Sequence, residues 1–301
     1  MKIAITGGTG LIGGKLADKL HQDGHDILIL TRNIKNKQNK ERFQFVEWLT
    51  PTSSPVSMLQ GTDIIVNLAG ESIMGRWTKL KKERILSSRL EATTELITII
   101  KELDQKPEAF INASAIGYYG HSETAIFNEY DESMNPNFLS EVTKKWEKAA
   151  SQATNLGIRT VYGRIGIVLD KGGGALPKML LPYKFFVGGT VGTGRQWMSW
   201  IHIDDLIDMF TFAITEKSIE GPFNLTAPHP VRMQQLNRTI AKVMNRPHWI
   251  PAPSFAIKTA LGEMSALVLE GAYVYPRKAV QKNFPFQYED PEPALTNLLQ
   301  K

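Results

Sequence analysis

The first fourteen residues, MKIAITGGTGLIGG, place Gly7, Gly10 and Gly13 at the spacing G-x-x-G-x-x-G between a short apolar run and a helical pattern. Lys2 to Thr6 predicts a buried first strand. Leu11, Ile12, Leu16, Ala17 and Leu20 then form an apolar helical stripe, Gly24 ends the helix, and Asp26 to Thr31 predicts a second strand. Strand, glycine turn, helix and strand make a βαβ unit. Gly7 allows the tight turn, Gly10 lets the backbone approach a pyrophosphate, and Gly13 lets the helix lie close to the strand. The free N–H groups of the helix start face the phosphates. A dinucleotide held by Gly7, Thr9, Gly10, Leu11, Ile12 and Gly13 is the expected ligand.

The second strand ends in Thr31-Arg32-Asn33, which contains no acid. An Asp or Glu there would hold the 2′-hydroxyl of NAD, whereas an Arg accommodates a 2′-phosphate. Arg32 therefore favours NADP(H) over NAD(H). The basic run that follows, to Arg42, reads otherwise as a solvated loop.

Further strands are expected at Phe43 to Leu49, Asp63 to Leu68, within Pro107 to Ser114, and at Ile158 to Ile165, with helices at Thr78 to Leu103 and Phe138 to Gly157. This alternation predicts a Rossmann-type doubly wound parallel sheet with helices on both faces. Glycines at 172–174, 188–189 and 192–194 mark a change of texture. A smaller mixed α/β C-terminal lobe is expected from 170–196 and 217–301. Residues 1–169 and about 197–216 would form the nucleotide-binding domain, Met198 to Ile203 and the helix after it returning to the main sheet.

The 301 residues include no cysteine, which excludes disulfides, thiolate metal sites and cysteine nucleophiles and fits a reducing cytoplasm. No apolar stretch approaches the roughly 18 residues of a spanning helix, and the N-terminus lacks the layout of a signal peptide. No basic–aromatic face suggests nucleic-acid readout. The expectation is a cytoplasmic monomer or homodimer with a small-molecule substrate, and neither nucleic acid nor membrane as partner.

Thr6 to Gly13, Asp63 to Gly70 (DIIVNLAG), Ala113 to Gly120 (ASAIGYYG) and Trp200 to Asp205 (WIHIDD) resemble the extended short-chain dehydrogenase/reductase superfamily, in the expected order. Leu68 to Glu71, Arg76-Trp77-Thr78, Ser88-Arg89 with Thr93, Gly194 to Asp205 and Gly271 to Pro276 are similar to its atypical branch of NAD-dependent epimerase family proteins. The resemblance implies that Leu68, Ala69 and Gly70 line the ribose side of the cofactor. It also implies a Ser or Thr four residues before Tyr119 and a Tyr-x-x-x-Lys pair on the next helix. This chain has Ala115, Leu139 and Thr143 at those places. The usual acid/base pair is missing.

The remaining candidates sit at the carboxyl edge of the expected sheet. Ser114 with Tyr118 or Tyr119 could polarise a reacting oxygen, or serve as scaffold hydroxyls. Glu71 could be a base if desolvation raises its pKa; the bland alternative is an ion pair with Arg76 or Arg89. Arg89 suits an anionic substrate, unless it bridges to Glu71, Glu91 or Glu95. Trp77 could line the substrate pocket. His202, Asp204 and Asp205 read as a strand–helix junction capped by one of the aspartates, and no metal site is expected. Two functions fit: an NADP(H)-dependent oxidoreductase or sugar-nucleotide-epimerase-like enzyme, or a non-catalytic NADP(H)-binding sensor or scaffold.

Overall fold

The computed structural model describes residues 1–300. Seven strands form the main sheet: β1 (Lys2–Thr6), β2 (Asp26–Thr31), β3 (Phe43–Glu47), β4 (Ile64–Asn67), β5 (Ala109–Ala115), β6 (Arg159–Ile165) and β7 (Gly221–Leu225). Their order is β7-β6-β5-β4-β1-β2-β3, and every pair is parallel. Chain order reverses between β1 and β4, so a crevice opens there at the carboxyl ends of the strands.

A parallel sheet must be buried on both faces, and the alternation of side chains sorts them. Ile3, Ile5, Ile27 and Ile29 join one core with Leu16, Ala17 and Leu20 of α1 (Leu11–Gln22). Ala4, Leu28 and Leu30 point the other way, against Ala92, Leu96 and Ile100 of α2 (Lys79–Glu102). Thr78 caps α2, its hydroxyl accepting from the Lys81 amide at 3.2 Å. The next helix of that layer, α3 (Phe138–Ala150), starts with a capping box between Asn137 and Ser140. It ends at Ala150, short of the expected Gly157, because Thr154–Leu156 is a 3-10 turn closed by left-handed Gly157.

The structure corrects the expected return to the sheet. Trp200–His202 pairs with Ile167–Leu169 in a separate two-stranded sheet, followed by α4 (Ile203–Thr215). The seventh main strand is Gly221–Leu225, in a segment expected to belong to the C-terminal lobe; it pairs with β6 from Gly221↔Val161 to Leu225↔Ile165. An apolar run identifies a strand but not its partner. The helices Leu176–Lys184, Met233–Met244 and Pro291–Gln300 send Leu180, Leu236 and Leu295 into the same core as α1 and α4.

Candidate active site

The glycine turn and the exit of β4 are built as one unit. The buried Thr6 hydroxyl donates to Asn67 Oδ1 at 2.7 Å and accepts from the Leu68 and Ala69 amides at 3.0 and 3.1 Å. Asn67 Nδ2 in turn donates to Asn112 Oδ1 at 2.7 Å and to Thr93 Oγ1 at 3.0 Å, tying β4 to β5 and α2. Trp146 Nε1 also donates to Thr93 Oγ1, at 3.0 Å. The network sets Leu68–Gly70 beside Gly7.

The loop is packed as a dinucleotide site requires. Gly7 has φ +66°, and a Cβ on it would lie 2.7 Å from the Leu68 carbonyl oxygen. A Cβ on Gly13 would lie 2.4 Å from the Gly7 carbonyl oxygen, so only glycine lets α1 approach the turn. Gly10 differs: a Cβ there meets the Gly7 carbonyl oxygen alone, at 3.3 Å. No side chain caps α1 at Gly10, so its first amides face outward for phosphate oxygens. The residues fit a dinucleotide. Thr9 and Gly10 are exposed on the turn, and Leu11 and Ile12 are half-buried in the first helical turn. Arg32 is exposed just past β2.

Two of the three candidate hydroxyls at and just after the end of β5 take the scaffold role. Ser114 is buried and donates to Glu147 Oε1 at 2.6 Å. Arg164 Nε and Nη2 donate to Glu147 Oε1 and Oε2, both at 2.9 Å, and Arg164 Nη1 donates to the Tyr119 hydroxyl at 2.9 Å. Tyr119 then donates to Asn224 Oδ1 at 2.8 Å. Burial works against the charge of Arg164, yet the hydrogen bonds and charge of Glu147 hold it above the ordinary range. Burial pushes the Tyr119 phenol up to about 12. Ser114 and Tyr119 are thus engaged in a sealed polar network.

Tyr118 is the phenol left over. Its ring lies on the Arg164 guanidinium, 3.5 Å from Cζ to the ring centroid, with Lys144 Nζ at 5.8 Å. It is half-buried, and its hydroxyl makes no hydrogen bond among the described residues. Leu139 packs against Gly117, where an added Cβ would meet Leu139 Cβ at 3.2 Å. Thr143 spends its hydroxyl on the Leu139 and Ser140 carbonyls, both at 3.0 Å. Neither place of the missing pair is open for proton transfer.

Four further expectations change. The Glu71 carboxylate pairs with Lys81 at 2.6 Å rather than with Arg76 or Arg89. The Lys81 hydrogen bond holds its carboxyl below the usual range, opposite to what a general base needs. Trp77 is buried, donates from Nε1 to the Ile73 carbonyl at 2.8 Å and packs edge-on against Phe138. Arg89 forms no ion pair among the described residues: Nη1 donates to the Glu71 and Ile85 carbonyls at 3.0 and 2.8 Å, beneath Gly70. Burial draws its guanidinium down to about 10. The helix cap after Trp200–His202 is His202, whose Nδ1 accepts from the Asp204 amide at 3.1 Å; Asp205 instead accepts from the Gln287 and Tyr288 amides.

Glu147, Arg164 and Asn224 escaped the sequence reading. A signal for Glu147 existed, because Ser140, Thr143, Glu147 and Ala150 recur at helical spacing on the buried face of α3. Arg164, a charged residue near the carboxyl end of a strand flanked by strands on both sides, was a second one.

A glycine turn packed on the exit of the fourth strand, at the switch point of a parallel sheet, defines a pyridine-nucleotide-binding Rossmann protein. Residues 3–226 match the NAD dependent epimerase/dehydratase family, and residues 252–298 match a domain of unknown function, DUF1731. The chain is 46% identical over 299 residues to the epimerase family protein YfhF of Bacillus subtilis (strain 168), covering 99% of this chain and 98% of that one. It is 42% identical over 295 residues to the epimerase family protein SSP1921 of Staphylococcus saprophyticus, covering 98% of each. Among solved structures, the human epimerase family protein SDR39U1 with NADPH superposes with a TM-score of 0.87 at 30% identity, covering all of both chains. A nucleoside-diphosphate sugar epimerase from Corynebacterium glutamicum gives 0.79 at 32% identity, covering 99% of this chain and 58% of that one. The chain belongs to the NAD-dependent epimerase/dehydratase family.

Proposed function

We propose that the protein is an NADP(H)-dependent oxidoreductase or epimerase-like enzyme acting on a small anionic substrate. The observation that carries the cofactor preference is the exposed Arg32 directly after β2, in a strand end Thr31-Arg32-Asn33 that contains no acid. The human relative with NADPH supports it. Gly7, Gly10 and the first amides of α1 hold the pyrophosphate, and Leu68 to Gly70 lie along the ribose. A bound nicotinamide supplies or accepts hydride. The chain's own share is to protonate or deprotonate the reacting oxygen at the Tyr118 hydroxyl and to attract an anionic group with Arg89. Arg89 fits that task because it is desolvated and makes no direct ion pair, a cost that an anionic ligand would offset.

A second reading rests on one observation. Ser114 and Tyr119 are both sealed into the Glu147–Arg164 network, which favours a cofactor-binding sensor or scaffold without turnover. NADPH consumption against a panel of carboxylate-bearing aldehydes and ketones separates the two.

Calorimetry tests the cofactor preference. NADP(H) should bind at least tenfold more tightly than NAD(H), about 1.4 kcal/mol, and Arg32→Ala should remove most of that difference. Equal affinities in the unaltered protein would overturn the preference.

A further inference from the structure

The C-terminal half carries a charge asymmetry that cofactor binding does not use. Residues 171–203 and 221–262 contain nine Lys or Arg and not one Asp or Glu. The chain's net charge is +5, so everything outside these two stretches is net acidic.

The same stretches hold half of the fourteen large apolar side chains that stand exposed among the described residues. Six of them, Leu181, Phe185, Phe186, Val187, Trp249 and Ile250, come from two segments that pack together. The Trp249 and Ile250 amides donate to the Gly188 carbonyl at 2.9 and 3.1 Å, and Trp249 Nε1 donates to the Phe186 carbonyl at 2.7 Å. Phe185 and Trp249 are 69% and 68% exposed, as open to water as surface lysines ordinarily are.

The prongs stand on a hydrogen-bonded turn. Helix Leu176–Lys184 ends in a turn in which the Phe185 and Val187 amides donate to the Pro182 carbonyl, at 3.2 and 2.9 Å. Phe186 sits at φ +61°, a left-handed conformation uncommon for an aromatic residue, and the Phe186 amide donates to the Tyr183 carbonyl at 3.0 Å. The turn therefore lifts two phenylalanines out while its own amides stay paired, as a segment entering an apolar phase requires. The Tyr183 hydroxyl pins it below, donating to the Asn237 carbonyl at 3.0 Å. Lys184 is exposed beside the prongs, and the Arg246 guanidinium lies 4.6 Å from the Phe186 ring centroid.

We propose that this knuckle, Leu181 to Val187 with Trp249 and Ile250, docks the protein peripherally onto an anionic lipid surface. Aromatic and aliphatic prongs would enter the interface while the surrounding cations face phosphate headgroups. No helix among the described residues is long and apolar enough to cross a membrane. A second copy is the poorer occupant, because a two-fold contact would set this cationic patch against an identical cationic patch. Single-stranded nucleic acid would use the aromatics but has no use for Leu181, Val187 and Ile250.

Co-sedimentation of the full chain tests the proposal, with vesicles of phosphatidylcholine alone and of phosphatidylcholine mixed with phosphatidylglycerol. At low salt the protein should bind the mixed vesicles at least tenfold more tightly, and high salt should release it. Phe185→Ser and Lys184→Glu should each weaken binding about tenfold with an unchanged thermal unfolding midpoint. Both side chains are exposed, so folding is preserved even if a substitution at Trp249 is not tolerated. The proposal is overturned if mixed vesicles are not bound, if both variants bind like the parent, if single-stranded RNA displaces the vesicles from the knuckle, or if the knuckle instead drives a dimer that Phe185→Ser dissociates.

Discussion

Arg164 and Glu147 meet inside the protein as a two-pronged pair, Nε on Oε1 and Nη2 on Oε2, each at 2.9 Å. Glu147 comes from the helix between β5 and β6, and Arg164 from β6 itself. The pair gathers the ends of three strands: Ser114 of β5 donates to Glu147, and Arg164 reaches Tyr119, which bonds Asn224 of β7. A structural ion pair therefore engages Ser114 and Tyr119, two of the three hydroxyls that could have served in proton transfer. Its outer face supports Tyr118.

Breaking this pair on one side leaves a buried charge alone. Glu147→Leu should destabilise the fold by about 3–5 kcal/mol, and Arg164→Met by a similar amount. The double replacement Arg164→Met with Glu147→Leu should lose less than the two single losses added together, because neither charge is then stranded. Urea unfolding of the four proteins measures it. Additive losses would show that the two groups do not act as a pair.

The glycines of the turn should separate folding from ligand binding. Gly13→Ala places a Cβ at 2.4 Å from the Gly7 carbonyl oxygen and 2.8 Å from Gly8 Cα. The backbone must shift, at about 1–3 kcal/mol. Gly10→Val meets little of the protein and should leave stability almost unchanged while lowering cofactor affinity more than tenfold. Thermal melts alongside cofactor titrations distinguish the two, and a Gly10→Val protein with unchanged affinity would mean that the turn is structural only.

The βαβ start was legible because its determinants are local. Glycine spacing, apolar period and helix capping all lie within one segment, and the structure reproduces them from Lys2 to Thr31. The empty places of the acid/base pair were equally legible, since Leu139 and Thr143 are fixed by counting. The partners of Ser114 and Tyr119 were not. They lie 33 and 105 residues away in sequence, for Glu147 and Asn224, and only the packing of α3 on the sheet and the strand order bring them together. β7 was hidden for a related reason: Gly221-Pro222 opens it with two residues that ordinarily mark a turn, and only pairing with β6 makes it a strand. The partner of Glu71 was not legible either, because Lys81 is brought near it by the first turns of α2.

Tyr118 should dominate turnover if the chain is catalytic. Tyr118→Phe should lower kcat at least 10²-fold, the low end for general acid–base catalysis, and leave cofactor affinity unchanged. Tyr119→Phe keeps the ring but leaves the Arg164 and Asn224 bonds unmet, so its effect should appear mainly as lost stability. NADPH consumption with the carboxylate-bearing carbonyl panel gives the first readout and urea unfolding the second. A Tyr118→Phe protein with parental kcat removes the phenol from the chemistry.

Acidification should expose His202. Its ring is fully buried, and burial lowers its pKa below the ordinary 6.5 despite the nearby carboxylates of Asp204 and Asp170. Between that lowered value and 6.5 the unfolded chain binds a proton that the folded protein refuses, so stability falls as pH drops through this window. The loss has a limit of about 1.4 kcal/mol for each pH unit of the shift and ceases below the folded value. Asp205, raised by burial to about 6, and Glu129, also raised by burial, act in the opposite sense, since the folded protein takes up their protons first. A bare stability profile therefore mixes signs, and a variant is needed to isolate the histidine. His202→Asn keeps a side-chain oxygen for the Asp204 amide at the start of α4, so the cap is retained while the titrating ring is removed. Urea unfolding of both proteins across this range should show the parent losing stability on acidification faster than the variant, with the two profiles parallel above neutral pH. Profiles parallel throughout would show that His202 has the same pKa in the folded and unfolded chain.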